Sequence, residues 1–547
     1  MNKKKEILIG STCFLLPKYK TWEKIKKIYK INFSTYNNLN FVLENKKKNQ
    51  TKILIIFLED LIQSDKNIRI KLEFILTNIK KSLISNDDLI VCYSDYFSTE
   101  IIRNSKFQNK LFEINNYFKK KIYSLCKSYN NLSFIDLDIE FKKIGYDKVL
   151  DKRNWYLAHC RVSESGLDII IEQIRKLLFS ISNPASKVLV LDCDNTIWGG
   201  VVGDEGTFGI KIGGDGEGLI FQDFQKEIIE LKNKGIILTV ASKNNYLDVK
   251  NVFKKNDQMK LKLNDISIFK VNWREKYLNI KEMSQELNLG LNSFVFWDDN
   301  PIEREKIKTY LPDVKVINAP KDTYHWIDLI RNLELFAKPL ISREDKKKTQ
   351  QYKSIAKFNE DKKNKKDDNF LKKILIKPKI FIPKKNNILR FSQMTLKTNQ
   401  FNLRTIRMTE IDVKNLINQK NEFSFMCEVK DIYGDHGIIG LAIIKKINND
   451  IFYLKNFLLS CRILGRKIEY WFFEKILQDL QKKKGKSLIV GFLPTEKNHV
   501  AKLFLDSLSL KKINNIKINS IIKPLKKEKL FIKEITNFNF KANKYYG

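Results

Sequence analysis

Four short segments of the chain carry acidic, hydroxyl and lysine side chains in an order that suits phosphoryl chemistry. Val188-Leu-Val-Leu-Asp192-Cys193-Asp194-Asn-Thr196 is an apolar run ending in two carboxylates one residue apart, with a hydroxyl beyond them. Ile236-Ile-Leu-Thr-Val-Ala-Ser242 ends in a hydroxyl and is followed by Lys243. Val271-Asn-Trp-Arg-Glu-Lys276-Tyr277 supplies a second lysine, and Phe294-Val-Phe-Trp-Asp298-Asp299 ends in an acidic pair. A carboxylate can attack phosphorus and form an aspartyl-phosphate. A second carboxylate nearby can protonate the leaving oxygen and later activate water. A hydroxyl and a lysine neutralise the oxygens of the transferring group. Several acidic groups around one point repel one another unless a hard cation sits among them, and Mg2+ with oxygen ligands suits that place. A D-x-D alone reads equally well as a strand-end turn or a helix N-cap. The signal is the ordered set of four elements, three of them at the ends of apolar runs.

Such residues need a scaffold, and the hydrophobic pattern describes one. In residues 1–183, short runs such as Ile53-Leu-Ile-Ile-Phe57 and Leu89-Ile-Val-Cys-Tyr93 alternate with amphipathic stretches, which predicts βαβ units and a parallel sheet. Residues 184–341 repeat the pattern with cleaner strands, and ligands of open α/β sheets bind beyond the carboxyl ends of the strands. Residues 342–370 read as a charged connector, part helix and part solvated link. Residues 371–547 read as α+β. The expected fold class is therefore multidomain α/β, with two parallel-sheet domains followed by an α+β domain.

With 547 residues the chain exceeds a single hydrophobic core. At 43% hydrophobic and 12% aromatic it is not a disordered protein, and no apolar run approaches the length of a membrane span. A soluble, cytoplasmic protein is expected. The net charge of +38 raises nucleic acid as a partner, but lysine is spread from end to end with no basic stripe interleaved with aromatics. No specific nucleic-acid site is expected. The seven cysteines are scattered, with no C-x-x-C pair, which argues against a zinc site or a disulfide framework.

Asp192-x-Asp194-x-Thr196, Ser242, Lys276 and Asp298-Asp299 together resemble the haloacid dehalogenase (HAD) superfamily. The resemblance implies that Asp192 is the nucleophile and Asp194 the general acid/base, whose backbone carbonyl also reaches Mg2+. It implies that Thr196, Ser242, Lys243 and Lys276 hold the phosphoryl group, and that Asp298 and Asp299 complete the metal site. The intervals between these motifs leave no room for a large cap domain, so an open site that admits a bulky substrate is expected. Leu191-Asp-Cys-Asp-Asn-Thr-Ile-Trp-Gly-Gly200, Asp298-Asp-Asn-Pro-Ile-Glu-Arg-Glu305, Lys397-Thr-Asn-Gln-Phe-Asn402, Gly434-Asp-His-Gly-Ile438 and Ser460-Cys-Arg-Ile-Leu-Gly-Arg466 look like the FkbH-like group of capless HAD proteins. That resemblance implies phosphate removal, and in some members the loading of a glyceryl unit from 1,3-bisphosphoglycerate onto an acyl carrier protein in polyketide or surface-glycan pathways. Cys193 then has two readings: a thiol that accepts the glyceryl group as a thioester, or a small packed side chain.

By the same resemblance the first domain is similar to SGNH hydrolases. Ser11 stands near the expected nucleophile, but Arg161 occupies the place of the catalytic histidine, and His159 lies two residues off. An inactive docking domain is expected. The last domain resembles a GNAT acetyltransferase, in which Cys461, Arg462, Gly465 and Arg466 ahead of a helix would hold the pyrophosphate of coenzyme A, or the phosphopantetheine arm of a carrier protein, with Asn498 opening a later helix. An ordinary helix N-terminus with basic residues is the alternative there. Asp435 and His436 would line the cleft or build a hairpin turn. Acyl transfer from coenzyme A, as in amino-sugar modification, and a purely binding scaffold are the competing functions.

Overall fold

The computed structural model describes residues 5–45, 47, 50–63, 68–84, 88–96, 105–129, 131–183, 185–337, 348–364, 370–419, 421–508, 510–513, 522, 524–525 and 527–535. One compact unit comprises residues 1–185 together with 337–340. Its sheet is all parallel, in the order β2 (Tyr29–Phe33), β1 (Lys5–Ser11), β3 (Gln50–Phe57), β4 (Asp88–Ser94), β5 (Leu132–Asp136). The apolar runs read from the sequence lie in β1, β3, β4 and β5. β2 escaped notice, because Tyr29-Lys-Ile-Asn-Phe33 alternates polar and apolar residues as an edge strand does.

A second compact unit begins at Ser186 and takes in the C-terminal half of the chain. Its first sheet, also parallel, has the order β10 (Lys315–Val316), β9 (Phe294–Trp297), β6 (Val188–Leu191), β7 (Ile237–Ser242), β8 (Ile266–Val271). The central strand is the one that leads into Asp192, flanked by those that lead into Ser242 and Asp298. All four residues of β6 and of β9 are buried, as strands covered by helices on both faces must be. From β6 to β9 the chain forms only the strands of this one sheet and the helices that connect them, with no inserted domain.

The second sheet of this unit is mixed and has seven strands. Its order is β11 (Lys377–Phe381), β12 (Glu422–Asp431), β13 (Gly434–Lys446), β14 (Ile451–Leu459), β15 (Ser487–Phe492), β17 (Lys529–Glu534), β16 (Lys511–Ile513). Every pairing is antiparallel except β14 with β15, which the helix Ile468–Lys482 connects. The α+β expectation for this region holds.

The charged connector is where the structure departs from the sequence reading. Lys348–Asn364 is a single helix, and it is built into the interior; 342–347 and 365–369 lie outside the described residues. Tyr352, Ile355 and Ala356 join the core beneath β6, β7 and β9, while Phe358 joins the core of the seven-stranded sheet. Four apolar residues thus belong to two cores within one compact unit. Helix was expected in part of this stretch, and what the surrounding lysines conceal is its buried apolar face. Phe358 is fully buried, with Arg466 stacked 3.7 Å from its ring centroid and Tyr433 edge-on at 5.7 Å. Phe358→Ala is expected to destabilise the second unit by about 3–5 kcal/mol, the usual result of emptying a packed aromatic site. Urea denaturation checks this; a loss below about 1 kcal/mol would show that the helix is a surface element.

Candidate active site

β6 ends at Leu191, but backbone pairing runs one residue further: Asp192 N donates to Trp297 O at 3.1 Å. That register sets Asp192 beside Asp298, which follows β9. Lys276, the first residue of the helix Lys276–Leu287, bridges them, with Nζ 2.9 Å from Asp192 Oδ1 and 2.6 Å from Asp298 Oδ2. All three side chains are buried. Burial alone would lower the Lys276 pKa, but the two carboxylates outweigh it and hold the ammonium above its ordinary value. Burial, and then the charge of Asp192, push Asp298 up to about 7 against the pull of Lys276. Asp299 is raised by the same two causes.

The other motif residues are fixed around this core. Asp194 Oδ1 accepts from Trp198 Nε1 at 2.9 Å and from Val202 N at 3.1 Å, while Oδ2 accepts from Asn244 Nδ2 at 2.8 Å. Asn244 also donates to Ser242 Oγ at 3.3 Å, so one amide ties the hydroxyl to the second carboxylate. Thr196 Oγ1 accepts from Asp299 N at 3.3 Å and pins the first loop to the acidic pair. Arg304 donates to the carbonyl oxygens of Asp298 and Asp299 at 2.8 and 2.7 Å, clamping the turn that carries them. A cavity of about 210 Å3 opens here, lined by Asp192, Asp194, Ser242, Lys243, Lys276, Asp299 and also by Asn195, Asn244, Asn300 and Glu303. Those last four and Arg304 were not singled out in the sequence. Asn300-Pro301 was the available signal for one of them: the Asn300 side chain caps the next helix, whose first residue is proline.

Two expected residues behave differently from the rest. Lys243 lines the cavity, but its ammonium is engaged by Glu303 at 3.0 Å and Glu275 at 3.1 Å. Cys193 is fully buried in the apolar core with Leu189, Ile197 and Trp198, and is absent from the cavity wall. Burial, and then the neighbouring charge of Asp192, drive its thiol pKa well above normal. The thiolate needed for acyl transfer is thereby disfavoured, so the packed reading of Cys193 is the one the geometry supports.

Oxygen atoms of Asp192, Asp298 and Asp299 lie within 4.8 Å of one another. Three carboxylates against one lysine leave an excess of negative charge in a buried place, and an all-oxygen donor set suits a hard divalent cation. The site fits Mg2+.

In the C-terminal half, the residues expected to hold coenzyme A are occupied elsewhere. Arg462 bonds Gln351 of the Lys348–Asn364 helix and Ser460 Oγ at 3.2 Å. Lys362 of that helix donates to Gly465 O at 3.4 Å. Arg466 is fully buried between Phe358 and Asp431, with Nε 2.7 Å from the carboxylate. Cys461 is partly buried against Tyr352's core. The amides of Ile463, Leu464 and Arg466 donate within the loop, to Ser460 O, Cys461 O and Ile463 O. β14 and β15 pair only from Ile451–Ser487 to Leu454–Val490; beyond that, Phe401–Leu403 lies between them. Leu403 N donates to Phe457 O at 3.0 Å, and Leu493 N to Leu403 O at 2.8 Å. Asn498 holds this insert by donating to Asn402 O at 3.0 Å and Leu493 O at 2.9 Å. The amides of Ile463, Leu464 and Arg466 and the side chains of Arg462 and Arg466 are thus engaged within the protein, not turned toward coenzyme A or phosphopantetheine. Gly434-Asp-His-Gly437 is the start of strand β13, just past the hairpin turn at Ile432-Tyr433 and not the turn itself, and the buried His436 sits 2.9 Å from Asp431.

In the first unit, the Ser11 hydroxyl lies against Cys13, accepting from its N–H at 3.2 Å. Arg161 is locked by Asp60 and by Glu59 at 2.8 Å, and His159 stacks on Tyr36. Among the described residues no hydrogen bond joins a histidine to the Ser11 hydroxyl.

Neither a protein-family model nor a curated protein matches the chain. Among solved structures it is similar to the crystal structure of the N-terminal part of the protein BF1531 from Bacteroides fragilis, containing a phosphatase domain complexed with Mg. The identity is 27% and the TM-score 0.53, over 62% of this chain and 95% of that one. Matches to acetyltransferases are lower: the ribosomal-protein-S18-alanine N-acetyltransferase of Escherichia coli at 12% identity and TM-score 0.22, covering 30% of this chain and 100% of that one, and an N-acetyltransferase of Staphylococcus aureus at 16% and 0.22, covering 29% and 99%. A multidomain α/β chain with a phosphatase-like parallel-sheet domain is what the fold and the first match define. Among the described residues no helix is long and apolar enough to cross a membrane.

Calorimetric titration with coenzyme A is expected to show no saturable binding. Arg462→Ala is expected to lower stability by about 1–3 kcal/mol, because Gln351 loses its partner. Saturable binding abolished by that substitution would return the loop to a cofactor role.

Proposed function

We propose that this protein is a Mg2+-dependent phosphatase that works through an aspartyl-phosphate on Asp192. The observation that carries the reading is Lys276 bridging Asp192 and Asp298, with Asp299 within reach of a shared cation. The similarity to a phosphatase domain crystallised with Mg supports it.

In this reading an Asp192 oxygen attacks phosphorus and the bond to the leaving oxygen breaks. Asp194, its carboxylate positioned by Trp198, Val202 and Asn244, delivers the proton to that oxygen. Water then attacks the aspartyl-phosphate, gives its proton to Asp194, and phosphate departs with Asp192 restored. Lys276 and the Ser242 hydroxyl face the phosphoryl oxygens and stabilise their charge. A bound Mg2+ supplies charge neutralisation of the phosphoryl oxygens; Asp192, Asp298 and Asp299 would hold it.

The finer reading is glyceryl transfer from 1,3-bisphosphoglycerate to an acyl carrier protein, and it rests on the motif resemblance. The buried Cys193 does not support a thioester on the enzyme, so any glyceryl transfer would pass directly to the acceptor thiol. The C-terminal sheet then serves as a binding module.

Asp192→Asn is expected to reduce phosphate release from acyl-phosphate and ester substrates by about 10^4-fold or more, while Asp298 and Asp299 retain weaker Mg2+ binding. Lys276→Ala is expected to lower kcat by about 10^2- to 10^3-fold. Phosphate-release assays and Mg2+ titration read both, and turnover that survives Asp192→Asn would remove the nucleophile assignment. Cys193→Ser is expected to leave phosphate release within about twofold of the wild type, since the thiol packs and does not react. Incubation with Mg2+, 1,3-bisphosphoglycerate and a pantetheinylated carrier, read by mass spectrometry, tests the finer reading; phosphate release without a carrier adduct would leave a simple phosphatase.

A further inference from the structure

Trp273 is exposed over 70% of its surface, while the other six tryptophans of the chain are buried or half-buried. An indole left facing water forfeits the burial that normally fixes such a ring. This one is nevertheless held. Its Nε1–H donates to Asn245 Oδ1 at 3.1 Å, which anchors the ring by one edge and leaves a face open. The turn that carries it is tied down as well, with Asn272 Oδ1 accepting from Arg274 N and Asn279 Nδ2, both at 3.0 Å.

Both attachments lead to the active site. Asn245 follows Asn244, the amide that joins Asp194 to Ser242, and Trp273 precedes Lys276 by three residues. Asn272 N donates to Ser242 O at 3.1 Å, so the loop that carries the indole is joined to a residue of the cavity wall, while the ring itself lies outside the residues that line the cavity. That cavity, at about 210 Å3, accommodates a phosphoryl group and the atoms next to it. With no inserted domain over the mouth, the remainder of a substrate must leave across the rim. The wall it passes carries the amides of Asn195 and Asn300 and the Lys243–Glu303 pair, a mixture of donors and acceptors that an alkyl or aryl group would leave unmatched. A sugar or polyol matches both surfaces, with its C–H face against the indole and its hydroxyls toward the amides and the ion pair.

We propose that Trp273 is a specificity-determining platform for the leaving group, and that this group is a hydroxyl-rich carbon skeleton of the sugar or polyol class. The proposal rests on the phosphoryl-transfer reading of the cavity.

The test compares wild type, Trp273→Ala and Trp273→Phe on hexose, pentose and polyol phosphates, on ethyl phosphate as a truncated ester, and with orthovanadate as a probe of the phosphoryl cavity alone. In the wild type at least one hydroxylated phosphate is expected to exceed ethyl phosphate about tenfold in kcat/KM. Trp273→Ala should raise the KM for that substrate about tenfold, equivalent to about 1.4 kcal/mol, with kcat, ethyl phosphate hydrolysis and vanadate inhibition unchanged. Trp273→Phe should recover part of the loss. An unchanged KM in Trp273→Ala overturns the platform. A parallel loss in vanadate affinity reduces Trp273 to a structural support of the loop, which also overturns it. A wild-type preference for ethyl phosphate overturns the substrate class. A wild type that hydrolyses none of these, and that shows no Mg2+-dependent vanadate binding by thermal shift, removes the phosphoryl-transfer reading and this proposal with it.

Discussion

Lys276 holds two buried carboxylates together at the floor of an open cavity. Asp192 and Asp298 would repel each other strongly in such a place, and burial would drive one of them to take up a proton. A single ammonium between them offsets much of that repulsion. The position of the ammonium depends in turn on the first residue of one helix, on the loop that leads into it, and on the register that brings β9 beside β6. Asn244, Arg304 and Thr196 then secure the surrounding turns. Loss of the bridge would leave buried charge without a partner, a more damaging change than loss of an exposed ion pair.

Most of this centre was legible in the sequence, because strands buried on both faces announce themselves as continuous apolar runs and the polar residue that ends each run is easy to see. Asp192, Asp194, Ser242, Lys276, Asp298 and Asp299 all converge as their spacing suggested. The support was less visible. Asn244 and Arg304 act through single hydrogen bonds to atoms distant in sequence, and no periodicity marks them. Cys193 illustrates a different limit: a residue between two pocket aspartates shares their loop but turns into the core, and only the backbone path decides that.

The segment Cys461–Arg466 has internal partners that its composition does not announce. A cluster of arginines and a glycine ahead of a helix has the composition of an anion-binding loop, but arginine also serves to satisfy buried carboxylates and to stack on aromatic rings. Arg466 does both, between Asp431 and Phe358. The partner that occupies the loop comes from a stretch whose lysines made it look solvated. Burial of one misjudged helix thus changed the meaning of a motif about a hundred residues away.

The open mouth of the phosphoryl cavity has a kinetic consequence. Enzymes that close a lid over a reactive intermediate protect it from solvent, and so choose its fate. Here an aspartyl-phosphate would form within reach of bulk water from the moment it appears. Hydrolysis would be the default, and any other acceptor would have to win by occupying the entrance before water does. Commitment in such a site lies with whatever still rests on the rim when the first bond breaks.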